Sequence, residues 1–85
     1  MTYRVVASET AERQFNRLDR QIQERIRDHI EALAGNPRPH GVKKLKGYWD
    51  YWRIRIGDYR VIYTIQDDRL LVCVIRIGHR RDAYN

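Results

Sequence analysis

The spacing of apolar residues changes partway along the chain, and this change limits the fold more than any other feature. Between residues 8 and 35 apolar side chains recur every three or four positions, as on one face of a helix. From residue 51 onward they alternate or run continuously, as in strands. Because 85 residues form one small domain, the sequence predicts helices and strands that share one core.

The first half predicts a short strand followed by two helices. Residues 3–6, YRVV, have the β-branched and aromatic composition of a strand. Ser8 and Asp19 are suitable N-caps for two helices. Their apolar faces consist of Ala11, Phe15 and Leu18 in the first helix and of Ile22, Ile26, Ile30 and Leu33 in the second. Gly35 and the prolines after it end the second helix.

The second half predicts a basic loop at residues 36–48 and three strands. The strands read YWRIRI, YRVIYTI and RLLVCVIRI, and they are joined at Gly57-Asp58 and Asp67-Asp68. The last one is apolar on both faces, which indicates an interior strand with residues 3–6 as a candidate neighbour. We therefore predict a single α+β domain over residues 1–85, with the order β-α-α-β-β-β and both helices on one face of an antiparallel sheet.

Three arginines share one face of the predicted hairpin. A two-residue turn at Gly57-Asp58 places Arg55 directly opposite Arg60, with Cβ atoms roughly 5 Å apart. The core face then carries Trp52, Ile54, Ile56, Tyr59, Val61 and Tyr63, and the other face carries Tyr51, Arg53, Arg55, Arg60 and Ile62. Like charges in opposed positions destabilise a sheet unless an anion lies between them. The pattern favours an anion-binding face over a solvated surface whose long side chains splay into water.

The net charge of +6 belongs entirely to residues 36–85. The predicted loop contributes Arg38 and three lysines without any acidic residue. This asymmetry favours a polyanion partner, although a basic surface with no specific partner has the same composition. If the partner is RNA, the candidate contacts are Lys43, Lys44, Lys46 and, by base stacking, Tyr51.

Metal and cofactor chemistry find little support in the sequence. Cys73 is the single cysteine, and the three histidines have no metal-ligand spacing. No glycine-rich phosphate loop is present. The sequence therefore predicts a protein with no metal and no cofactor. The absence of a signal peptide and of a membrane-length apolar run, together with the single cysteine, predicts a cytoplasmic protein.

RNA cleavage by its own 2′-hydroxyl is a reaction that arginines can promote without a metal. It needs a base for the 2′-hydroxyl, cations for the crowded phosphate oxygens and a proton source for the leaving 5′-oxygen. Arginine serves as the cation but is a poor base. Near the C-terminus lie further candidates for these roles: His79, Arg80, Arg81 and Tyr84. His79 and Tyr84 are the two candidate bases.

The runs WRIRIGDYRVIY (52–63) and IRIGHRRDAY (75–84), after a strand, two helices and the LKG loop, closely resemble the RelE/ParE superfamily of type II toxin–antitoxin toxins. The resemblance covers almost the whole chain in order. It implies a compact α/β ribonuclease-like fold. It also implies a cognate antitoxin that wraps the toxin, blocks its active face and forms a hetero-oligomer with it.

For the RelE branch, the resemblance implies cleavage of mRNA in the A site of the 70S ribosome. Arg60 would stabilise the transition-state phosphate, Arg80 would act on the leaving group, and Tyr84 would orient or deprotonate the nucleophile. The best-known RelE toxins have lysines where this chain has Arg53 and Arg55. A lysine at these positions therefore cannot be the base in this chain, and the candidate bases are Tyr84 and His79. The ParE branch shares the fold but inhibits DNA gyrase, and the retained Arg60, Arg80 and Tyr84 favour the ribonuclease.

Overall fold

The computed structural model describes residues 2–47 and 50–79, and the predicted site residues Arg80, Arg81 and Tyr84 lie outside them. The elements are β1 (Arg4–Ala7), α1 (Glu9–Asn16), α2 (Arg20–Ala32), β2 (Lys43–Lys44), β3 (Tyr51–Ile56), β4 (Tyr59–Gln66), a 3₁₀ turn (Asp67–Arg69) and β5 (Leu71–His79). The predicted order of strands and helices is confirmed, with a two-residue strand added inside the predicted loop. No helix in this described part of the chain is long and apolar enough to cross a membrane.

The five strands form one mixed sheet in the order β1-β5-β4-β3-β2. The predicted α+β class is confirmed, but the sheet is not antiparallel throughout, because β1 runs parallel to β5. The apolar character of both faces of β5 predicts an interior strand. The structure agrees, because β5 is paired on both edges, with β1 on one side and β4 on the other. Lys43 and Lys44 pair with β3 and form the opposite edge.

The first helix is anchored to β5 by its cap. The Ser8 hydroxyl accepts a hydrogen bond from the Ala11 N–H at 3.1 Å and donates to the Ile75 carbonyl at 2.8 Å. Near the C-terminal end of the helix, the side-chain oxygen of Gln14 accepts a hydrogen bond from the Ile77 N–H at 2.7 Å. The predicted Ser8 N-cap is thus confirmed, and contacts near both ends of α1 fix the helix against the last strand.

The core lies between the helices and one face of the sheet. Its buried members include Ala11, Ile26 and Leu33 from the helices and Ile54, Ile56, Val61, Tyr63, Val72, Val74 and Ile77 from the strands. The predicted core face of the hairpin is confirmed. The buried Tyr63 donates its hydroxyl proton to the Pro37 carbonyl at 2.7 Å, and burial raises the pKa of Tyr63. This hydrogen bond fastens the loop after α2 to the sheet.

A polar cluster holds the loop after α2 against the turn between β4 and β5. The Arg38 guanidinium donates to both Asp67 oxygens, at 3.1 and 2.9 Å, and the Tyr3 hydroxyl donates to one of them at 2.5 Å. The Arg38 guanidinium also lies 5.0 Å from the centre of the Trp52 ring. These donors favour the ionised carboxylate and lower the pKa of Asp67 to about 2. Arg38 therefore stabilises the fold by joining the loop after α2 to the sheet.

Replacing Asp67 with asparagine should destabilise the fold at neutral pH but not in strong acid. The Asp67 pKa of about 2 lies below its ordinary value of 3.8, so its stabilisation is complete above about pH 4 and is lost as the pH falls through 2. Urea unfolding midpoints at pH 7, 4, 3 and 2 should therefore converge for wild type and Asp67→Asn as the pH drops. Asp68→Asn is the matched control and should follow the wild type. A gap between wild type and Asp67→Asn that stays constant down to pH 2 would contradict the assignment.

Candidate functional site

The β3–β4 hairpin has the register that the sequence predicts. Gly57 adopts a positive φ of 60° in the two-residue turn, a conformation that glycine tolerates at little cost. Arg55 pairs with Arg60, and Arg53 pairs with Ile62. Since the core residues alternate with these positions, the three arginines lie on the face of the sheet that the helices leave uncovered.

A fourth arginine joins this face through an irregularity in β5. Tyr63 pairs with Val74, but the next pair is Ile62 with Arg76, so Ile75 is an extra residue. Without this bulge, Arg76 would lie opposite Val61 on the core side. The bulge instead turns Arg76 to the outer face and Ile77 into the core. We call the outer surface formed by Arg53, Arg55, Arg60 and Arg76 the arginine face.

Ile62 forms an apolar floor beneath the arginine face. It is only 7% exposed, although it lies on the side without helices. Its cross-strand neighbours are Arg53 and Arg76. The Nε atoms of Arg53 and Arg60 are buried as well. The arginine stems therefore lie along the sheet and cover Ile62, as long charged side chains commonly do over apolar surface.

The predicted RNA-contacting residues are divided between the two sides of the sheet. Lys43 pairs with Arg53 and Tyr51 lies two positions before it on the same strand, so both share the arginine face. Lys44 pairs with Trp52, and its Nζ lies 5.7 Å from the centre of that ring. The structure thus separates Lys44 from the arginines. Lys46 is exposed in the turn after β2.

The structure also separates His79 from the arginines. His79 pairs with Tyr59, and the two rings meet edge to face with centroids 5.4 Å apart. Tyr59 packs against the core, on the helical side of the sheet. The β5 residue opposite Arg60 is Gly78, and alternation along the strand turns the next residue, His79, to the helical side. His79 is therefore not placed beside Arg60.

The chemistry of the arginine face is that of an anion site. Strands β3, β4 and β5, which carry the four arginines, contain no Asp or Glu of their own. Guanidinium groups bind phosphate oxygens in a two-pronged geometry and remain charged at any physiological pH. Over an apolar floor such charges act more strongly than in water. The face can hold and stabilise a phosphate, but its arginines cannot remove a proton.

Metal ligation finds no counterpart in residues 2–47 and 50–79, where no group of three or more His, Cys, Asp or Glu could hold an ion. The predicted site residues Arg80, Arg81 and Tyr84 follow β5 but lie outside the described residues. Their part in the site stays a prediction.

Comparison with known proteins places this architecture among bacterial and archaeal toxins. The sequence model described as "ParE toxin of type II toxin-antitoxin system, parDE" matches residues 5–84. Toxin RelE3 of Methanocaldococcus jannaschii is 29% identical over 86 residues, covering 96% of each chain. The mRNA interferase toxin RelE of Escherichia coli K12 is 27% identical over 82 residues, covering 94% of this chain and 85% of that protein. The structure also resembles a chain of the archaeal RelE–RelB complex from Pyrococcus horikoshii OT3, with a TM-score of 0.83, 30% identity and coverage of 98% and 100%.

Proposed function

The chain belongs to the ParE toxin family of type II toxin–antitoxin systems, within the RelE/ParE superfamily, and from this premise we propose that it is an endoribonuclease. Its substrate is mRNA, cleaved in the ribosomal A site, and the outcome is arrest of translation. The observation that carries the proposal is the arginine face, where four guanidinium groups surround an apolar floor on strands that contain no carboxylate.

The proposed reaction is an internal displacement at phosphorus. The 2′-hydroxyl oxygen of the RNA attacks the adjacent phosphate, the bond to the 5′-oxygen breaks, and the products are a 2′,3′-cyclic phosphate and a 5′-hydroxyl end. Arg55 and Arg60 stabilise the negative charge that builds up on the phosphate oxygens. Arg53 holds the strand beside them. The route requires no metal ion, because the nucleophile belongs to the substrate.

Proton transfer falls to residues after β5. Arginine cannot act as the base, and His79 lies on the other side of the sheet. Tyr84 therefore becomes the proposed base. An ordinary tyrosine is protonated at neutral pH, but nearby guanidinium groups favour the phenolate form. Arg80 and Arg81 are proposed to stabilise the negative charge on the leaving 5′-oxygen, with Arg80 in the principal role, and that oxygen takes a proton from water to become the 5′-hydroxyl end.

A cognate antitoxin is the proposed protein partner. The related Pyrococcus toxin and the E. coli RelE toxin are each seen in complex with a RelB antitoxin. The same chemistry fits this chain, since a segment rich in carboxylates can neutralise the arginine face and exclude RNA from it. The proposed complex is a toxin–antitoxin hetero-oligomer.

Mapping of mRNA 5′ ends after expression of the toxin alone tests the activity. We expect growth arrest and new 5′-hydroxyl ends inside translated codons, and purified ribosomes carrying mRNA should reproduce the cuts in vitro. Co-expression with the antitoxin from the neighbouring reading frame is the control and should remove them. Growth arrest with intact transcripts would contradict the ribonuclease.

Inhibition of DNA gyrase is the alternative function, and the ParE description of the matching family favours it. In that case the arginine face would contact the gyrase protein rather than a scissile phosphate. A supercoiling assay with purified toxin distinguishes the two activities. Loss of supercoiling together with intact mRNA would establish the alternative, and unchanged supercoiling would count against it.

A further inference from the structure

A cleft of about 650 Å³ opens at the edge of the sheet next to the arginine face. It forms between the end of α2, the loop after it and β3. Because β2 has only two residues and pairs no further than Arg53, the edge of β3 is left uncovered at Ile54 and Arg55. We call this space the edge cleft. Its polar and charged lining consists of His29, Asn36, His40, Lys43, Arg53 and Arg55.

The electrostatics of the edge cleft suit an anion. Three cations line it, Lys43 from β2 and two arginines from β3, together with the imidazoles of His29 and His40. No Asp or Glu is among the described residues that form its wall. A concave surface lined by charges of one sign concentrates the field and attracts the opposite charge. The rest of the wall comes from Gly41 and from the apolar residues Ala32, Leu33, Pro39 and Ile54.

We propose that the edge cleft binds a second phosphodiester of the RNA strand, next to the one on the arginine face. This inference rests on the proposed ribonuclease function and extends its substrate site. The proposal is supported by the continuity of the two surfaces, since Arg53 and Arg55 belong both to the arginine face and to the cleft wall. Their Cα atoms are two strand positions, about 7 Å, apart. Grooves that hold single-stranded nucleic acid follow its backbone with a row of cations in this manner.

An NMR titration with 2′-O-methyl oligonucleotides tests the proposal, because these cannot be cleaved by 2′-hydroxyl attack. We expect a trinucleotide, which has two phosphodiesters, to shift the imidazole signals of His29 and His40. The His79 ring serves as an internal control on the other side of the sheet and should not move. Arginine Nε–H signals report the arginine face in the same sample. A dinucleotide, with one phosphodiester, should shift mainly these arginine signals.

A double variant, His29→Ala/His40→Ala, gives the quantitative test, because both residues line the edge cleft and neither belongs to the arginine face. It should lower affinity for the trinucleotide about tenfold, the size expected for losing hydrogen bonds to a charged group, and change dinucleotide affinity by less than about twofold.

Each of the other outcomes of the NMR titration would overturn a specific part of the proposal. If RNA shifts only the arginine signals, the second subsite is wrong while the ribonuclease site stands. If RNA shifts neither set, both fail. If a polyglutamate peptide moves the two imidazoles and RNA does not, the edge cleft is a protein-binding surface and the proposal is overturned.

Discussion

Replacing Arg60 with alanine should lower the rate of mRNA cleavage by about 10²- to 10³-fold and abolish growth arrest. Arg60 lies on β4 between Arg55 and Gly78, at the middle of the arginine face. Its Nε is buried, so the guanidinium is held in place before any phosphate arrives. Removal of one such positioned donor to a developing oxyanion typically costs this much in rate. Single-turnover cleavage of ribosome-bound mRNA is the measurement.

Two further variants separate catalysis from folding. Arg60→Lys keeps the charge but loses the two-pronged geometry, so it should retain an intermediate rate. Arg13→Ala removes an arginine from the exposed surface of α1, away from the arginine face, and should leave cleavage unchanged. Arg60→Ala relieves the repulsion from Arg55 but also removes a stem that covers Ile62, so a urea unfolding curve for each variant must show that the protein assayed is folded. Wild-type cleavage by a folded Arg60→Ala protein would show that the arginine face is not the catalytic surface.

The hairpin was predictable because its information is local. The Gly57-Asp58 turn sets the register, and strict alternation then assigns every side chain from Tyr51 to Tyr63 to a face. A two-residue turn at this position implies five successive cross-strand pairs, from Ile56 with Tyr59 to Trp52 with Tyr63, and the structure contains all five. The Ser8 cap and the helical stripes were predictable for the same reason, since each depends on residues within a few positions of one another. Asp19 precedes α2 as predicted, but its side chain makes no capping hydrogen bond.

The fourth arginine could not be predicted because a bulge has no local signature here. Ile75 resembles the apolar residues on either side of it, and nothing in the run LLVCVI marks it as the extra one. Only the partner strand and the core decide that Ile77 points inward and Arg76 outward. The parallel pairing of β1 with β5 has the same origin, because it depends on residues nearly seventy positions apart.

His79 shows a second limit of sequence reasoning. Its neighbours Arg80 and Arg81 made it a candidate for the same site. In a strand, however, adjacent residues point to opposite faces, and pairing with Tyr59 fixes His79 on the helical side. Lys44 is separated from Lys43 in the same manner. Closeness in sequence therefore does not by itself place two strand residues on the same face of the sheet.

Replacing Ile26 with alanine should have the largest effect on stability, a loss of about 2–5 kcal/mol in the free energy of unfolding. Ile26 is fully buried at the centre of α2, where it helps to cover the sheet. Truncation removes three carbons from a close-packed site and leaves a cavity that the rigid sheet cannot fill. Urea unfolding followed by circular dichroism measures the loss. Ile22→Ala, the same change at a half-buried position of the same helix, should cost clearly less.

The Ile26 variant also separates the two roles of the fold. The arginine face is built on β3, β4 and β5, and Ile26 packs on the opposite side of that sheet. The folded fraction of Ile26→Ala should therefore cleave mRNA at the wild-type rate, while the folded fraction itself falls. Because a partner that binds only the folded state stabilises it by mass action, excess antitoxin should restore the unfolding midpoint. A variant that stays fully folded but cleaves slowly would mean that α2 acts on the reaction itself, contrary to the separation of core and arginine face described above.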